Sequence, residues 1–187
     1  MELYLVRHTR PEVQPGICYG HADIDVGETF HSEAETVRSK LAGIAPTAFY
    51  TSPQQRCRKL AAALPFGQPQ EDVRLKELHF GEWELLAWDA IPREALDHWG
   101  SRFVEVAPPG GESFTDLFHR AKAFFADCAT RHHGPVVAVT HAGVIRALLA
   151  HALNLPLQHV PNFQLDFGGI TKLAIAGPYI HVNYVNR

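Results

Sequence analysis

The sequence lacks the features of exported and membrane-spanning proteins. Its N-terminus has no basic region followed by an apolar stretch, and no run of apolar residues approaches the roughly 18 that a membrane span requires. Its three cysteines, Cys18, Cys57 and Cys128, are scattered without the short paired spacing of a zinc site or a redox motif. We therefore expect an unexported cytoplasmic protein that folds without disulfide bonds and does not bind a membrane.

Several motifs of nucleotide and metal chemistry are also missing. The chain has no glycine-rich phosphate loop of the Walker type, no HExxH helix and no DxD-like acidic cluster, so we expect neither a metal nor a cofactor. The formal net charge of -3, with no block of lysine or arginine, argues against a nucleic-acid partner. A local basic pocket for a small anion is compatible with that total.

The chain is nevertheless long enough for a well-packed core. Its 187 residues suit one domain, spanning 1–187, that buries roughly two-thirds of the surface of the unfolded chain. Composition and hydrophobic spacing predict strands at 2–6, 48–51 and 135–140, a loop at 11–28 and a terminal hairpin within 170–185.

Helices are predicted between these strands. They lie at 29–41, from Ser52 onwards, at 113–132 and at 141–153, with Ser52 as N-cap and Pro53 at the first helical position of the second helix. Strands that alternate with helices indicate an α/β fold of three layers, in which helices flank a mostly parallel central sheet.

Two pairs of chemically competent residues follow predicted strands. Arg7 and His8 come at the end of the first strand, and Thr140 and His141 come at the end of 135–140. Ligands of such folds bind outside the carboxyl ends of parallel strands, so we expect these residues to share one site. A neutral imidazole is a competent nucleophile towards phosphorus, and guanidinium groups match the charge on phosphoryl oxygens. The pattern favours phosphoryl transfer through a covalent intermediate.

Five segments of the chain resemble, in the same order, the motifs of the histidine phosphatase superfamily with its phosphoglycerate-mutase-like signature. They are LVRHTRP at 5–11, YTSPQQRCRKLA at 50–61, KELHFGEWE at 76–84, PGGES at 109–113 and VTHAGVIRAL at 139–148. The resemblance implies a phosphoglycerate-mutase-like fold and a cofactor-independent phosphatase that acts on a small phosphorylated metabolite. The sequence leaves open whether the protein is a monomer or a small homo-oligomer.

The resemblance also implies roles for individual residues. His8 matches the histidine that becomes phosphorylated, and Arg7 beside it matches a ligand of the phosphoryl oxygens. Arg56 matches the second phosphate-binding arginine, near the start of its helix, where free N–H groups also favour an anion. His141 matches the second histidine, which donates to the phosphoryl group opposite His8.

An acid is needed as well, because an alkoxide leaves poorly unless it is protonated as the P–O bond breaks. Glu77 matches that position of the family pattern. Glu82 and Glu84 are close enough in sequence to compete for the role.

The opening of the chain resembles a narrower group, the α-ribazole phosphatases, which remove a 5′-phosphate in late cobalamin synthesis. Cys18, Tyr19, Gly20 and Asp23 stand where that group typically has the same residues. The chain departs from the group at His21, Ala22 and Leu85, and Thr9 departs from the glycine common in the superfamily.

The loop after the nucleophile is expected to cover the pocket and contact the leaving group. We predict that Arg10, Tyr19 and His21 bind the substrate, with Tyr19 stacking on a flat base. Three alternatives stay open, namely a phosphoglycerate mutase, a broad-specificity sugar phosphatase and a non-catalytic phosphate-binding module.

Overall fold

The computed structural model describes residues 1–177 and 179–187, and a six-stranded sheet lies at the centre of this part of the chain. The strands are β1 (Glu2–Arg7), β2 (Ala48–Thr51), β3 (Gln70–Glu71), β4 (Pro135–Thr140), β5 (Ile170–Ala176) and β6 (Tyr179–Tyr184). Their order is β3-β2-β4-β1-β5-β6. The first four are mutually parallel, while β5 is antiparallel to β1 and β6 to β5. The predicted mostly parallel sheet is confirmed.

Helices cover both faces of this sheet. They are α1 (Phe30–Lys40), α2 (Gln55–Ala63), α3 (Arg93–Arg102), α4 (Phe114–Arg131) and α5 (Ala142–Leu153). Four were predicted to within a few residues, and α3 was missed. Among the helices in the described residues, none is both long enough and apolar enough to cross a membrane.

The central strands bury both of their faces. On one face, Leu3 and Leu5 belong to a core with apolar residues of α4 and α5. On the other face, Tyr4 and Val6 belong to a core with apolar residues of α1 and α2. Because successive side chains of a strand point to opposite faces, a strand buried on both sides is apolar throughout. This arrangement confirms the three-layer α/β fold.

The predicted start of α2 was wrong. The helix begins at Gln55 with Gln54 as N-cap, so neither Ser52 nor Pro53 has the predicted position. The hydroxyl group of Ser52 is buried and lies 2.9 Å from His141 Nε2. Instead, Asp23 Oδ1 accepts a hydrogen bond from the N–H of Gln55 at 2.7 Å, and so satisfies one of the free donors at the helix start.

The register of the central strands brings the two predicted histidines to one edge. Arg7 of β1 pairs with Thr140 of β4, so the next residue of each strand, His8 and His141, leaves the sheet at the same level. The N–H of His8 donates to the carbonyl oxygen of Thr140 at 3.0 Å, which fixes the end of β1 against β4. Two segments far apart in sequence therefore meet at one site.

Candidate active site

His8 is held with one ring nitrogen free. Its side chain is 2% exposed, and its Nδ1 lies 2.7 Å from the carbonyl oxygen of Thr9. A carbonyl only accepts hydrogen bonds, so Nδ1 carries the hydrogen and Nε2 carries the lone pair. Burial, together with the charges of Arg56 and Arg7, lowers the pKa of His8 well below its ordinary value. The ring is therefore neutral, as a nucleophile must be.

His141 lies next to His8 at the start of α5. The two ring centroids are 5.0 Å apart, and the rings meet edge to face. His141 Nε2 lies 2.9 Å from Ser52 Oγ and 3.4 Å from Cys57 Sγ. Burial, followed by the charge of Arg56, lowers the pKa of His141 well below its ordinary value. The structure thus brings the two histidines together, while donation from His141 to a phosphoryl group stays a prediction.

Arg7 is anchored by an aromatic ring at the edge of the site. Its guanidinium carbon lies 3.8 Å above the centroid of Phe167, and Nη1 donates to the carbonyl oxygen of Leu165. The Nε atom is buried and has no hydrogen-bond partner among the described residues. Such an orphan donor on a cation calls for an anionic acceptor in the site.

Arg56, like Arg7, has an Nε–H group without a hydrogen-bond partner among the described residues. It is fully buried, with Nη1 donating to the carbonyl oxygen of Ala22 at 2.9 Å and Nη2 to that of Gly20 at 2.7 Å. Its Nε is also buried without a partner in the described part of the chain. Two guanidinium groups, the fully buried one of Arg56 and the partly buried one of Arg7, each have an unused Nε–H donor beside a neutral histidine. Such an arrangement is suited to a phosphoryl group.

Glu77 places its carboxylate against the start of α5. Oε1 and Oε2 lie 3.1 and 3.2 Å from the N–H of Gly143, and Oε1 accepts from the N–H of Leu78 at 2.9 Å. The first turn of a helix favours a negative group. A Cβ atom at position 143 would lie only 2.2 Å from Oε1, so this approach requires glycine.

The two competing carboxylates do not line the site. Glu84 accepts hydrogen bonds at 2.8–2.9 Å from the N–H groups of Gly20, His21, Ala22 and Phe80. Burial acts to raise the pKa of Glu84, but these four donors outweigh it and lower the pKa below the ordinary value. Glu84 therefore holds the loop after β1 as an ionised carboxylate, and Glu82 is exposed.

A cavity of about 280 Å³ opens beside these residues. Arg7, His8 and Glu77 line its polar end together with Arg146 of α5. The remaining wall is apolar and largely aromatic, and it is lined by Tyr19, Leu78, Phe80, Trp99, Phe103, Phe114, Ala142, Gly143, Val160 and Pro161. The site can hold a phosphoryl group next to His8 and an apolar or aromatic leaving group beyond it.

A family model of the histidine phosphatase superfamily (branch 1) matches residues 3–187. This chain belongs to that superfamily. The matched range includes every residue of the site described above.

Relatives of this histidine phosphatase carry different substrate names. A protein provisionally named phosphoserine phosphatase 2, from Hydrogenobacter thermophilus, is 28% identical over 99% of this chain and 95% of the relative. An adenosylcobalamin/alpha-ribazole phosphatase from Escherichia coli is 25% identical over 100% of this chain and 96% of the relative. The native structure of a mycobacterial glucosyl-3-phosphoglycerate phosphatase is 26% identical, with a TM-score of 0.86 over 99% of this chain and 98% of that one. Phosphatase activity is common to all three names.

Only one of the three predicted substrate-binding residues of the loop reaches the cavity of this histidine phosphatase. Tyr19 lines it, whereas the side chain of Arg10 is exposed and lies over Phe167 at 5.1 Å. His21 stacks on the ring of His79 at 4.3 Å and is not part of the lining. Next to Tyr19, Gly20 packs directly on Leu78, since a Cβ atom at position 20 would lie 1.8 Å from the carbonyl oxygen of Leu78.

Sequence reasoning missed Arg146, Trp99 and Phe103. Arg146 lies one helical turn after Ala142, so the spacing within the VTHAGVIRAL motif was a usable signal. Trp99 and Phe103 come from α3 and the residue after it, and no local pattern connects them to the motifs.

Cys18 does not line the cavity. Cys18 packs in a buried cluster with Trp83 and Ile91, and burial together with the charge of Glu84 raises its pKa to about 12, so it is a packing residue.

Within residues 1–177 and 179–187, no group of three or more histidine, cysteine or acidic side chains is arranged to hold a metal ion.

Proposed function

We propose that this phosphatase forms a phosphohistidine at His8. The observation that carries the proposal is the hydrogen bond between His8 Nδ1 and the Thr9 carbonyl, which leaves the Nε2 lone pair available in the cavity. The unpartnered Nε atoms of Arg7 and Arg56 support a phosphoryl group at that position.

The reaction runs in two balanced steps. First, Nε2 of His8 attacks phosphorus, the bond to the leaving oxygen breaks, and that oxygen takes a proton from the carboxyl group of Glu77. Then a water molecule attacks the phosphohistidine, gives a proton to the Glu77 carboxylate, and inorganic phosphate leaves as the N–P bond breaks. The arginines stabilise the charge on the phosphoryl oxygens in both steps. Neutral His141 contributes a further donor.

The substrate that we propose is α-ribazole 5′-phosphate, which is dephosphorylated in late cobalamin synthesis. The aromatic wall of the cavity, which includes Tyr19, Trp99 and Phe103, favours a flat apolar leaving group. The similarity to a relative named for this substrate supports the same choice.

Arg146 favours a second candidate, a phosphomonoester that carries a carboxylate. Its Nε and Nη2 donate to the carbonyl oxygen of Phe163 at 3.0 and 2.9 Å, which leaves Nη1 for a ligand in the cavity. Burial lowers the pKa of Arg146, and no carboxylate pairs with it among the described residues. Phosphoserine and glucosyl-3-phosphoglycerate, the substrates named for two relatives, both carry a carboxylate.

Two experiments test these proposals. Brief incubation with substrate should give an acid-labile, alkali-stable phosphoryl group on the protein that is lost in His8→Ala. A normal amount of label in that variant would contradict the assignment of His8 as the nucleophile.

A panel of α-ribazole 5′-phosphate, phosphoserine and 3-phosphoglycerate identifies the substrate by kcat/KM, and formation of 2-phosphoglycerate would reveal a mutase. Tyr19→Ala should reduce only the preference for the ribazole, and Arg146→Met only activity on carboxylates.

A further inference from the structure

Glu77 lies in a segment without regular secondary structure, so its position depends on side chains from elsewhere. Residues 76–80 lie between the short 3-10 turns Val73–Leu75 and Gly81–Trp83. The N–H of Glu77 donates to Gln54 Oε1 at 3.1 Å, and its carbonyl oxygen accepts from Arg120 Nη2 at 2.9 Å. Side chains from the start of α2 and from α4 therefore hold both polar backbone atoms of Glu77.

The guanidinium group of Arg120 donates all of its hydrogen bonds to residues around Glu77. Nη1 donates to the carbonyl oxygens of Arg74 at 2.7 Å and of Lys76 at 2.6 Å. Nε donates to Glu112 Oε2 at 3.1 Å, and Nη2 donates to Glu112 Oε1 as well as to Glu77. These contacts account for all five N–H groups of the side chain. Only 19% of the Arg120 side chain and 18% of the Glu112 side chain are exposed.

Glu112 extends the contact to the far side of Glu77. Its Oε1 accepts from the N–H of His79 at 3.1 Å, and its own N–H donates to the carbonyl oxygen of His79 at 3.0 Å. We refer to the ion pair of Arg120 and Glu112 as the clamp. The clamp binds the backbone on both sides of Glu77 and lies outside the lining of the cavity.

We propose that Arg120 is a positioning residue for the acid carboxyl group of Glu77, an inference that rests on the acid role proposed above. The Glu77 carboxylate contacts the N–H groups of Gly143 and Leu78 only while the backbone of 74–79 keeps its present position relative to α5. Without the clamp, three carbonyl oxygens lose their donors and the segment shifts. A displacement of about 1 Å at a catalytic group costs roughly 100-fold in rate.

The test is a double-mutant cycle between Arg120→Met and Glu77→Gln. The value of kcat/KM is measured for an alkyl phosphate and for p-nitrophenyl phosphate, whose leaving group needs little protonation. Arg120→Met should lower kcat/KM by roughly 10- to 100-fold for the alkyl phosphate and by less than about 3-fold for the nitrophenyl ester. In the Glu77→Gln background the same change should cost little more, because residues that act as one unit have non-additive effects.

Arg74→Met is the matched control. The Arg74 side chain pairs with Asp72 and Asp127 at 2.7 Å each and makes no hydrogen bond to Glu77. Its removal should lower the melting temperature and leave the ratio of kcat/KM between the two substrates unchanged. Arg120→Lys keeps the charge but loses the planar fork, so it should show the same substrate-dependent loss.

The outcomes separate the clamp from the acid. Equal losses of Arg120→Met on both substrates, or additive effects in the cycle, would overturn the positioning role and leave the acid in place. Equal losses of Glu77→Gln on both substrates would contradict the acid role itself. If Arg120→Met does not fold, Arg120→Lys and Glu112→Gln replace it in the double-mutant cycle. The results expected of these variants, and the results that would overturn the proposal, are those given for Arg120→Met.

Discussion

Replacing Gly143 with alanine should displace the proposed acid without removing any catalytic group. The new Cβ atom would lie 2.2 Å from Glu77 Oε1 and 3.2 Å from Leu117 Cδ1, so the carboxylate must move away and the Leu117 side chain must shift slightly. A contact of 2.2 Å is too short for non-bonded carbon and oxygen atoms. The carboxylate must therefore move by about 1 Å to restore even a close van der Waals contact. The hydrogen bonds from the N–H of residue 143, now 3.1 and 3.2 Å long, are lost in the same movement.

The magnitude follows from this displacement. A catalytic group misplaced by 1 Å costs roughly 100-fold, so kcat/KM for an alkyl phosphate should fall by about that factor. For p-nitrophenyl phosphate the loss should stay within about 3-fold, because this leaving group needs little acid assistance. Overpacking of this kind should also lower the free energy of unfolding by about 1–3 kcal/mol.

The assay compares both esters and thermal unfolding in Gly143→Ala and in a glycine control. Gly100 lies within α3, and a Cβ atom there meets nothing within 4 Å. Gly100→Ala should keep full activity and gain roughly 0.5–1 kcal/mol of stability from its higher helix propensity. Equal losses on the two esters for Gly143→Ala, or unchanged activity on both, would refute the reasoning.

Further predictions concern the proposed acid, the two buried histidines and an exposed residue with a positive φ. Glu77→Gln should lower kcat/KM for alkyl phosphates by roughly 10²–10⁴-fold and spare p-nitrophenyl phosphate, and uniform losses would exclude the acid role. Since the pKa values of His8 and His141 are lowered by burial, the acid limb of the kcat/KM profile should lie below pH 6.5. Below that pH the unfolded chain binds protons at both histidines and the folded chain does not. The free energy of unfolding should therefore fall with decreasing pH, by up to about 1.4 kcal/mol per pH unit for each histidine. Calorimetry that finds no such loss would contradict the buried neutral state of the two rings. Leu85 has a φ of 67° and an exposed side chain, so Leu85→Gly should raise stability by about 1 kcal/mol, whereas Leu86→Gly should lower it in the same melting experiment.

The meeting of His8 and His141 at one edge of the sheet was predictable because each residue has a local signal. His8 and His141 each follow a short apolar run, and parallel strands bring such ends to one edge whatever lies between them. The family pattern then assigned Arg56 and Glu77, and the structure places both at that edge.

The leaving-group side of the cavity was not predictable in the same way. Trp99 belongs to a helix rich in charged residues, and its place in the wall depends on packing against other aromatic rings from 80–88. The places of Arg10 and His21 outside the cavity lining could not be read from the sequence, because contacts with distant residues set them: Phe167 for Arg10, and His79 and Glu84 for His21. Ser52 failed as a cap for a similar reason, since its hydroxyl contacts His141.

The loop at 20–22 is held between an anion and a cation through its backbone. Its N–H groups point to Glu84 and two of its carbonyl oxygens point to Arg56, so the peptide dipoles align along the field between opposite charges. The orientation of Arg56 is thereby independent of the side chains at positions 21 and 22. Those two positions lie outside the cavity lining, so they can be substituted without changing the hydrogen bonds that hold Arg56.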